Sequence, residues 1–155
     1  MRSSLRSHTE AERAGPRQRS EGAMVRSALH RLRRRERIVV SSWVPILGRC
    51  IDLAFIEEGA VTTVEFKLRD WRRALEQARD HRLGADHAYV CMPRRQVSEK
   101  MRSELLRLGI GLFFFVERGS WPFEIVLDAP RSEDTIDVIR AELRARIGEA
   151  RRGKW

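Results

Sequence analysis

Apolar and polar positions along the chain follow two different periods, and each period predicts one kind of element. In some segments apolar residues recur every three or four positions, as on the buried face of a helix. In others, short runs rich in β-branched and aromatic residues are typical of strands. Helices are predicted at residues 20–35, 71–84, 98–108 and 133–147, and strands at 38–44, 48–56, 61–68, 87–92, 111–116 and 123–127.

Local signals set several of these boundaries. Ser20 is a good cap for the first helix, Pro45 is expected to stop the first strand, and Gly84 is a natural end for the second helix. The last helix has an apolar stripe that is expected to be buried. Its members are Ile136, Ile139, Leu143 and Ile147.

The order of these elements predicts an α/β fold with a mixed sheet flanked by helices. Residues 57–59 can form the turn of a hairpin between the second and third strands. The helix between the third and fourth strands makes a crossover, so these two strands are expected to be parallel. The order is α-β-β-β-α-β followed by α-β-β-α. We predict one domain over residues 20–148, with a disordered basic arm at 1–19 and a basic tail at 149–155.

Three charged residues interrupt the second and third strands. Strand side chains alternate between faces, so Asp52 is expected on the face away from Ile51 and Leu53, while Glu65 and Lys67 share a face. If the strands pair, two carboxylates and an ammonium converge on an otherwise apolar surface. Charges in such a place are costly unless they are paired or hold a metal.

An acid on one strand followed by Glu-x-Lys on the next resembles the core signature of the PD-(D/E)xK nuclease superfamily. The matching residues are Ile51-Asp52 and Glu65-Phe66-Lys67. The proline that usually precedes the aspartate is missing, but it carries no chemistry. The resemblance covers about residues 21–128 and is strongest to the branch of small single-domain proteins with DNA-repair roles. It implies a restriction-endonuclease-like αβββαβ core, to which this chain adds a C-terminal αββα extension.

The resemblance also implies a metal-dependent reaction. Mg²⁺, or Mn²⁺ in its place, needs only one or two carboxylates because it keeps several waters. Asp52 and Glu65 are the expected metal ligands, and the backbone carbonyl of Phe66 is a further one by resemblance. Lys67 would orient the attacking water or stabilise developing negative charge. The alternative is a surface hairpin with an ion pair, which contributes little to stability.

Two further positions are weaker candidates. Many such nucleases have a glutamate on the first helix, where this chain offers Glu21 or, less favoured, Glu36. Some have a glutamine on the helix after the lysine, where Gln77 stands with His81 one turn later. Each of these residues also fits an ordinary solvated helix face.

Charge points to a polyanionic partner. The net charge is +9, with 31 lysines and arginines against 22 aspartates and glutamates, and such a balance favours nucleic acid. Arg69, Arg72 and Arg73 are expected to hold phosphates near the metal, and Arg34 and Arg35 to contact nucleic acid from the end of the first helix. Plain solubility, or cations at a helix C-terminus, would explain the same residues.

Other classes of protein fit the sequence less well. The chain has no run of 18 apolar residues and no signal-peptide core, so a cytoplasmic protein without a membrane partner is expected. Cys50 and Cys91 are expected to be packed thiols rather than a disulfide or metal pair. His30, His81 and His87 lack the short spacing of a zinc site.

The sequence therefore predicts a nuclease that hydrolyses phosphodiester bonds in DNA, guided by substrate structure or by a partner. RNA stays open as a substrate. A homodimer would help so small an enzyme engage two strands, but nothing in the sequence requires one. One alternative is a catalytically silent nucleic-acid-binding module of the same fold. Another is a structural domain, which would lack the steep salt dependence of phosphate binding.

Overall fold

A computed structural model describes the backbone of residues 20–152 and the side chains of residues 20–149. The predicted arm at 1–19 lies outside this range, as do residues 153–155 of the predicted tail at 149–155. The first part of that tail is helical instead, because the last helix continues to Arg152. The described part forms four helices and six strands in the predicted order. These are α1 (Glu21–Arg33), β1 (Ile38–Ile46), β2 (Arg49–Glu57), β3 (Ala60–Phe66), α2 (Trp71–His81), β4 (His87–Met92), α3 (Glu99–Leu108), β5 (Gly111–Phe115), β6 (Phe123–Leu127) and α4 (Asp137–Arg152).

The six strands form one mixed sheet in the order β1-β2-β3-β4-β5-β6. β3 and β4 are parallel, as the crossover helix predicts, and β4 and β5 are parallel as well. The other neighbours are antiparallel. The prediction of an α/β fold with a mixed sheet is therefore confirmed.

Helices cover both faces of the sheet. Met24, Val25 and Leu32 of α1 pack on one face. On the other face α2 and α3 cover β4 and β5, and Leu143 and Ile147 of α4 pack on β1 and β2. Alternate residues of β4 enter opposite cores, which is the period that the sequence analysis used.

The alternation fails in β1 and β2, which corrects one prediction. Leu53 packs under α1, but Ile51, only two residues away, packs under α4. The change of face falls at Asp52, and Trp43 of β1, which stands beside it, has a positive φ of 53°. Ile51 and Leu53 therefore lie on opposite faces of the sheet. The prediction that Asp52 lies on the face away from both of them is wrong. Such local irregularities re-aim side chains and are frequent beside functional sites.

Some element ends also differ from the predictions. Pro45 does not stop β1, because β1 is an edge strand and needs no N–H there. The last helix begins at Asp137 rather than 133, since the Ile136 N–H donates to the Leu83 carbonyl at 2.8 Å. Ile136, expected to be buried, is 47% exposed.

Candidate active site

The site begins where β2 and β3 separate. The two strands pair from Glu57 and Ala60 at the turn as far as Leu53 and Val64, and the next step of this register places Asp52 opposite Glu65. There a side chain replaces the backbone partner, because the Phe66 N–H donates to Asp52 Oδ2 at 2.8 Å. The Asp52 carboxylate is thus fixed at the point of divergence, next to the Glu-x-Lys segment.

Glu65 is a buried carboxyl that lies beside another carboxyl, that of Asp52. The residue is 3% exposed, and its Oε2 has no hydrogen-bond partner among the described residues. Burial, followed by the negative charge of Asp52, raises the pKa of Glu65 to about 9. Burial also raises the pKa of Asp52, against the lowering effect of the Phe66 N–H. The two carboxyls are within hydrogen-bonding reach of each other, and Glu65 carries the larger upward shift of pKa.

Lys67 supplies positive charge to the same cluster. Its charge lowers the pKa of both Asp52 and Glu65, and its Nζ lies 3.9 Å from Glu21 Oε2. Glu21 Oε1 in turn accepts a hydrogen bond from the Leu68 N–H at 3.2 Å. The first helix therefore brings Glu21 to the site. Glu21 is the residue that the sequence analysis preferred over Glu36.

Glu36 lies at the other end of α1 and takes no part in this cluster. It follows a helix of 13 residues whose first residue is Glu21, so the two are about 20 Å apart along the helix axis. Arg34 and Arg35 are at that far end too, beside Gly119 and Ser120. Arg35 stacks over Trp121 with 5.3 Å between its guanidinium carbon and the ring centre. The structure does not bring these arginines to the carboxylates.

α2 contributes two polar side chains behind Glu65. His81 Nδ1 is 3.8 Å from Glu65 Oε2, which is too long for a hydrogen bond. Burial lowers the pKa of His81 to about 4, so the imidazole is neutral at pH 7 and the contact is no ion pair. Gln77 lies one turn earlier, and its Oε1 is buried without a hydrogen-bond partner in the described part of the chain.

A cleft of about 680 Å³ opens beside these groups. Its lining is mostly polar and includes four basic or imidazole side chains. The lining residues are Arg49, Cys50, Asp70, Arg72, Arg73, Glu76, Gln77 and His81. The predicted phosphate contacts Arg72 and Arg73 thus line the cleft, while Arg69 is exposed just before α2. The role of each arginine as a phosphate contact stays a prediction.

Sequence reasoning missed Arg49 and misjudged Cys50. Arg49 forms an ion pair with Asp80 at 3.0 Å and lines the cleft. Its place at the start of β2, three residues before Asp52, is the signal that could have found it. Cys50 was expected to be packed but is exposed, whereas Cys91 is buried, and both are free thiols. Burial of its sulfur and the charges of Asp52 and Glu65 raise the pKa of Cys50.

The donor set fits a divalent cation that keeps most of its own water. Within the described residues, no three His, Cys, Asp or Glu side chains come together as a metal-holding group. Asp52 and Glu65 are nevertheless two adjacent carboxylates. One Glu65 oxygen has no hydrogen-bond partner among the described residues, so a cation could bind it without breaking a hydrogen bond. Mg²⁺ is commonly held by one or two carboxylates with waters and substrate phosphates. A full protein cage, as for structural zinc, is not available there.

Comparison with known proteins supports the fold. A protein of unknown function from Silicibacter pomeroyi has a similar structure, with a TM-score of 0.59 and 21% identity over 87% of this chain and 90% of that one. An XisH family protein from Nostoc punctiforme and an fdxN element excision controlling factor from Anabaena variabilis give TM-scores of 0.48 and 0.46, at 16% and 15% identity. Each match covers 68% of this chain and 97% of the other. The first match shows a shared fold, and the other two are too distant to support an inference.

Neither a protein-family model nor a curated protein matches the chain. Among the described residues, no helix is both long and apolar enough to cross a membrane.

Proposed function

We propose that this protein is a metal-dependent nuclease of the PD-(D/E)xK type that hydrolyses phosphodiester bonds in DNA. One observation carries the proposal. Asp52, Glu65 and Lys67 converge where β2 and β3 separate, with Glu65 buried and one of its oxygens without a partner among the described residues. Burying carboxyls in this way costs stability, and a fold would dispense with it unless the site served a ligand.

The chemistry divides among the residues of the cluster. Asp52 and Glu65 would hold Mg²⁺, with the Phe66 carbonyl as a third protein ligand. The cation would polarise the phosphoryl oxygen and lower the pKa of a bound water. Glu65 must lose its proton before it can act as a ligand. Lys67, held by Glu21, would stabilise the negative charge that develops on the phosphate. The buried Oε1 of Gln77 has no hydrogen-bond partner in the described part of the chain and would accept a hydrogen bond from a water molecule.

Charge supports DNA as the substrate. Arg49, Arg72 and Arg73 line the cleft. Asp52 and Glu65 do not line it themselves, but His81, which does, lies 3.8 Å from Glu65. The whole chain carries a net charge of +9. Guanidinium groups pair well with phosphates. No separate recognition domain is evident in residues 20–149, so selection by DNA structure or by a partner protein is the expected mode. Dimerisation stays a prediction.

The test is cleavage of labelled single-stranded, duplex, flap and branched DNA in Mg²⁺, in Mn²⁺ and in EDTA. We expect cleavage with either metal and none in EDTA. Asp52→Asn, Glu65→Gln and Lys67→Ala should each lower the rate by about 100-fold or more, as for the loss of one transition-state contact.

Two matched variants control for general effects. Glu57→Gln removes an exposed carboxylate from β2, the strand of Asp52, at the end next to the turn. Lys100→Ala removes an exposed lysine from α3. Both should cut at the wild-type rate. Cleavage that persists in EDTA, or that survives Asp52→Asn, would refute the mechanism.

A DNA-binding module that does not cut is the second candidate. The observation in its favour is that the described residues offer no metal site of three side chains. This alternative predicts that the wild-type protein binds DNA with strong salt dependence yet cuts no form of it. It also predicts that Lys67→Ala changes affinity rather than rate.

A further inference from the structure

The β1–β2 hairpin keeps two large apolar side chains exposed at a conformational cost. Within residues 20–152, three non-glycine residues have a positive φ, and two of them, Trp43 and Leu47, lie on this hairpin with φ of 53° each. They are 49% and 53% exposed. Left-handed backbone is unfavourable for residues with a large side chain. Neither side chain is buried enough to offset this conformational cost. Such strain is a reason to look for a function.

Leu47 is unusual even for its turn. Ile46 pairs with Arg49, so Leu47 and Gly48 form a two-residue turn, and both have positive φ. Turns of this type strongly prefer Asn-Gly or Gly-Gly. A sequence selected for folding alone would place asparagine or glycine where Leu47 stands.

Trp43 lines a cavity of about 500 Å³ on the edge strand of the sheet. Arg33 from the end of α1 and Arg146 from α4 line it as well. Arg146 is paired with Glu142 at 2.9 Å, while Arg33 is exposed and makes no ion pair with any other described residue. An exposed indole flanked by guanidinium groups is the combination that holds unpaired nucleotides, because the ring stacks on a base and the cations meet phosphates.

This edge cavity and the cleft of the candidate active site are lined by paired residues of the same hairpin. Pro45 lines the edge cavity, and its register partner Cys50 lines the cleft beside Glu65. A residue of each cavity therefore lies at the same end of one hairpin, about one strand spacing from the other. Trp43 also stands beside Asp52 across the β1–β2 pair, where both strands lose their alternation.

We propose that Trp43, Arg33 and Arg146 form a subsite for single-stranded DNA that leaves the cleft over the tip of the β1–β2 hairpin. The subsite rests on the proposed function for its choice of DNA, and it narrows the substrate to DNA that is single-stranded on one side of the cut. Leu47, at the tip, stands where the strand turns out of the cleft.

The test measures binding of a labelled oligothymidine and of a blunt duplex of equal length, by fluorescence anisotropy in EDTA. Trp43→Asn keeps a residue that tolerates positive φ, so the hairpin should fold. It should weaken binding of the single strand by about 5- to 100-fold, the range for loss of one stacked base, and leave the duplex affinity unchanged. Arg33→Gln and Arg146→Gln should each lower the slope of log affinity against log salt by about 0.7.

The control variants are Leu106→Gln and Arg107→Gln, which change an exposed leucine and an exposed arginine on α3. Both should bind the single strand as the wild type does. Circular dichroism and thermal melting check that Trp43→Asn folds. If it does not, the double variant Arg33→Gln/Arg146→Gln decides the question through the salt slope.

The outcomes separate this inference from the nuclease proposal. Wild-type affinity of Trp43→Asn for the single strand would overturn the subsite, even if cleavage depends on Asp52. A protein that cuts nothing, but binds the single strand through Trp43, would keep the subsite and overturn the nuclease. If Trp43→Asn changes only self-association in light scattering, the surface binds a second copy and the subsite is refuted.

Discussion

Asp86, just before β4, and Glu65, within β3, are both buried carboxyl residues, and their surroundings differ sharply. They are 1% and 3% exposed. Asp86 accepts a hydrogen bond from the Val61 N–H at 2.8 Å and forms an ion pair with Arg140 at 2.9 Å. Glu65 has a second carboxyl, that of Asp52, as its neighbour, and its pKa is raised to about 9.

This difference distinguishes Asp86, a carboxylate with a structural role, from Glu65, a carboxyl that we propose binds a ligand. Asp86 joins α4 to the start of β4, and its charge is compensated within the fold. The charge of Lys67 compensates Glu65 only in part, and the pKa of Glu65 stays raised to about 9, so a divalent cation would take the place of its proton. Burial alone does not identify an active site, whereas a buried carboxyl whose pKa stays strongly raised despite a nearby lysine is a candidate on physical grounds.

Amide substitution at the two positions should give the largest contrast. Asp86→Asn removes the counter-charge of Arg140 and should lower the free energy of unfolding by about 3 kcal/mol, toward the low end for a broken buried pair because the arginine is partly exposed. Glu65→Gln imitates the protonated acid and should leave stability at pH 7 unchanged or higher. Urea unfolding measures both, and an equal loss in the two variants would refute the distinction.

The pH dependence of stability sharpens the contrast. The pKa of Glu65 is about 9 in the folded protein against 4.5 for an unperturbed glutamate. Between these values the folded state keeps a proton that the unfolded state has lost, so stability falls as pH rises, by at most about 1.4 kcal/mol per pH unit.

Glu65→Gln should flatten this fall between pH 7 and 9. That window lies above the range in which His81 titrates. Burial lowers the pKa of His81 from 6.5 to about 4, so its protonation in the unfolded state reduces the stability of the fold only as pH falls below 6.5. Urea unfolding at pH 7, 8 and 9 provides the check. Parallel pH profiles for wild type and variant would show that Glu65 is not the group responsible.

Divalent metal should stabilise the wild type and not its site variants. At ten times the dissociation constant, Mg²⁺ or Mn²⁺ should add about 1.4 kcal/mol, and more at pH 8.5 than at pH 6.5, because binding must displace a proton. Asp52→Asn and Glu65→Gln should lose the effect, and Glu57→Gln should keep it. Thermal melting with and without metal is the measurement, and equal stabilisation of Glu65→Gln would place the ion elsewhere.

Glu21 should give the smallest effect, because it acts through Lys67. The two side chains are 42% and 17% exposed and 3.9 Å apart, so the pair contributes about 0.5 to 1 kcal/mol. Glu21→Gln should lower kcat a few-fold and leave KM unchanged, since Lys67 loses orientation rather than contact with DNA. Steady-state cleavage kinetics test this, and a change confined to KM would assign Glu21 to DNA binding instead.

Periodicity predicted the fold well because the sheet is buried on both faces and its helices have clear apolar stripes. The parallel pairing of β3 and β4 follows from the helix between them, and the antiparallel β2–β3 hairpin from its short turn. The start of α4 could not be predicted, because Ile136 continues the apolar period while its backbone bonds to Leu83. A tertiary hydrogen bond there overrides the local pattern.

The residues of the strand motif could be predicted from the sequence. The residues that reach the site only because distant strands or helices come together could not. Asp52, Glu65 and Lys67 are marked by charge within apolar strands. The choice of Glu21 over Glu36 needed only the direction of α1, and Arg49 needed only its place three residues before Asp52, but the edge position of Trp43 needed the sheet order. No local pattern encodes that Asp52 binds the Phe66 N–H, since this bond depends on the strands separating at that point.

Cys50 gives the cleft a built-in chemical reporter. The chain has two cysteines, and Cys91 is sealed in the core, so a maleimide dye would label Cys50 alone in the native protein. Burial and then the neighbouring carboxyls Asp52 and Glu65 raise the pKa of its thiol, so alkylation should accelerate once a cation neutralises those carboxyls. The rate of dye attachment would therefore report metal occupancy without any nucleic acid present.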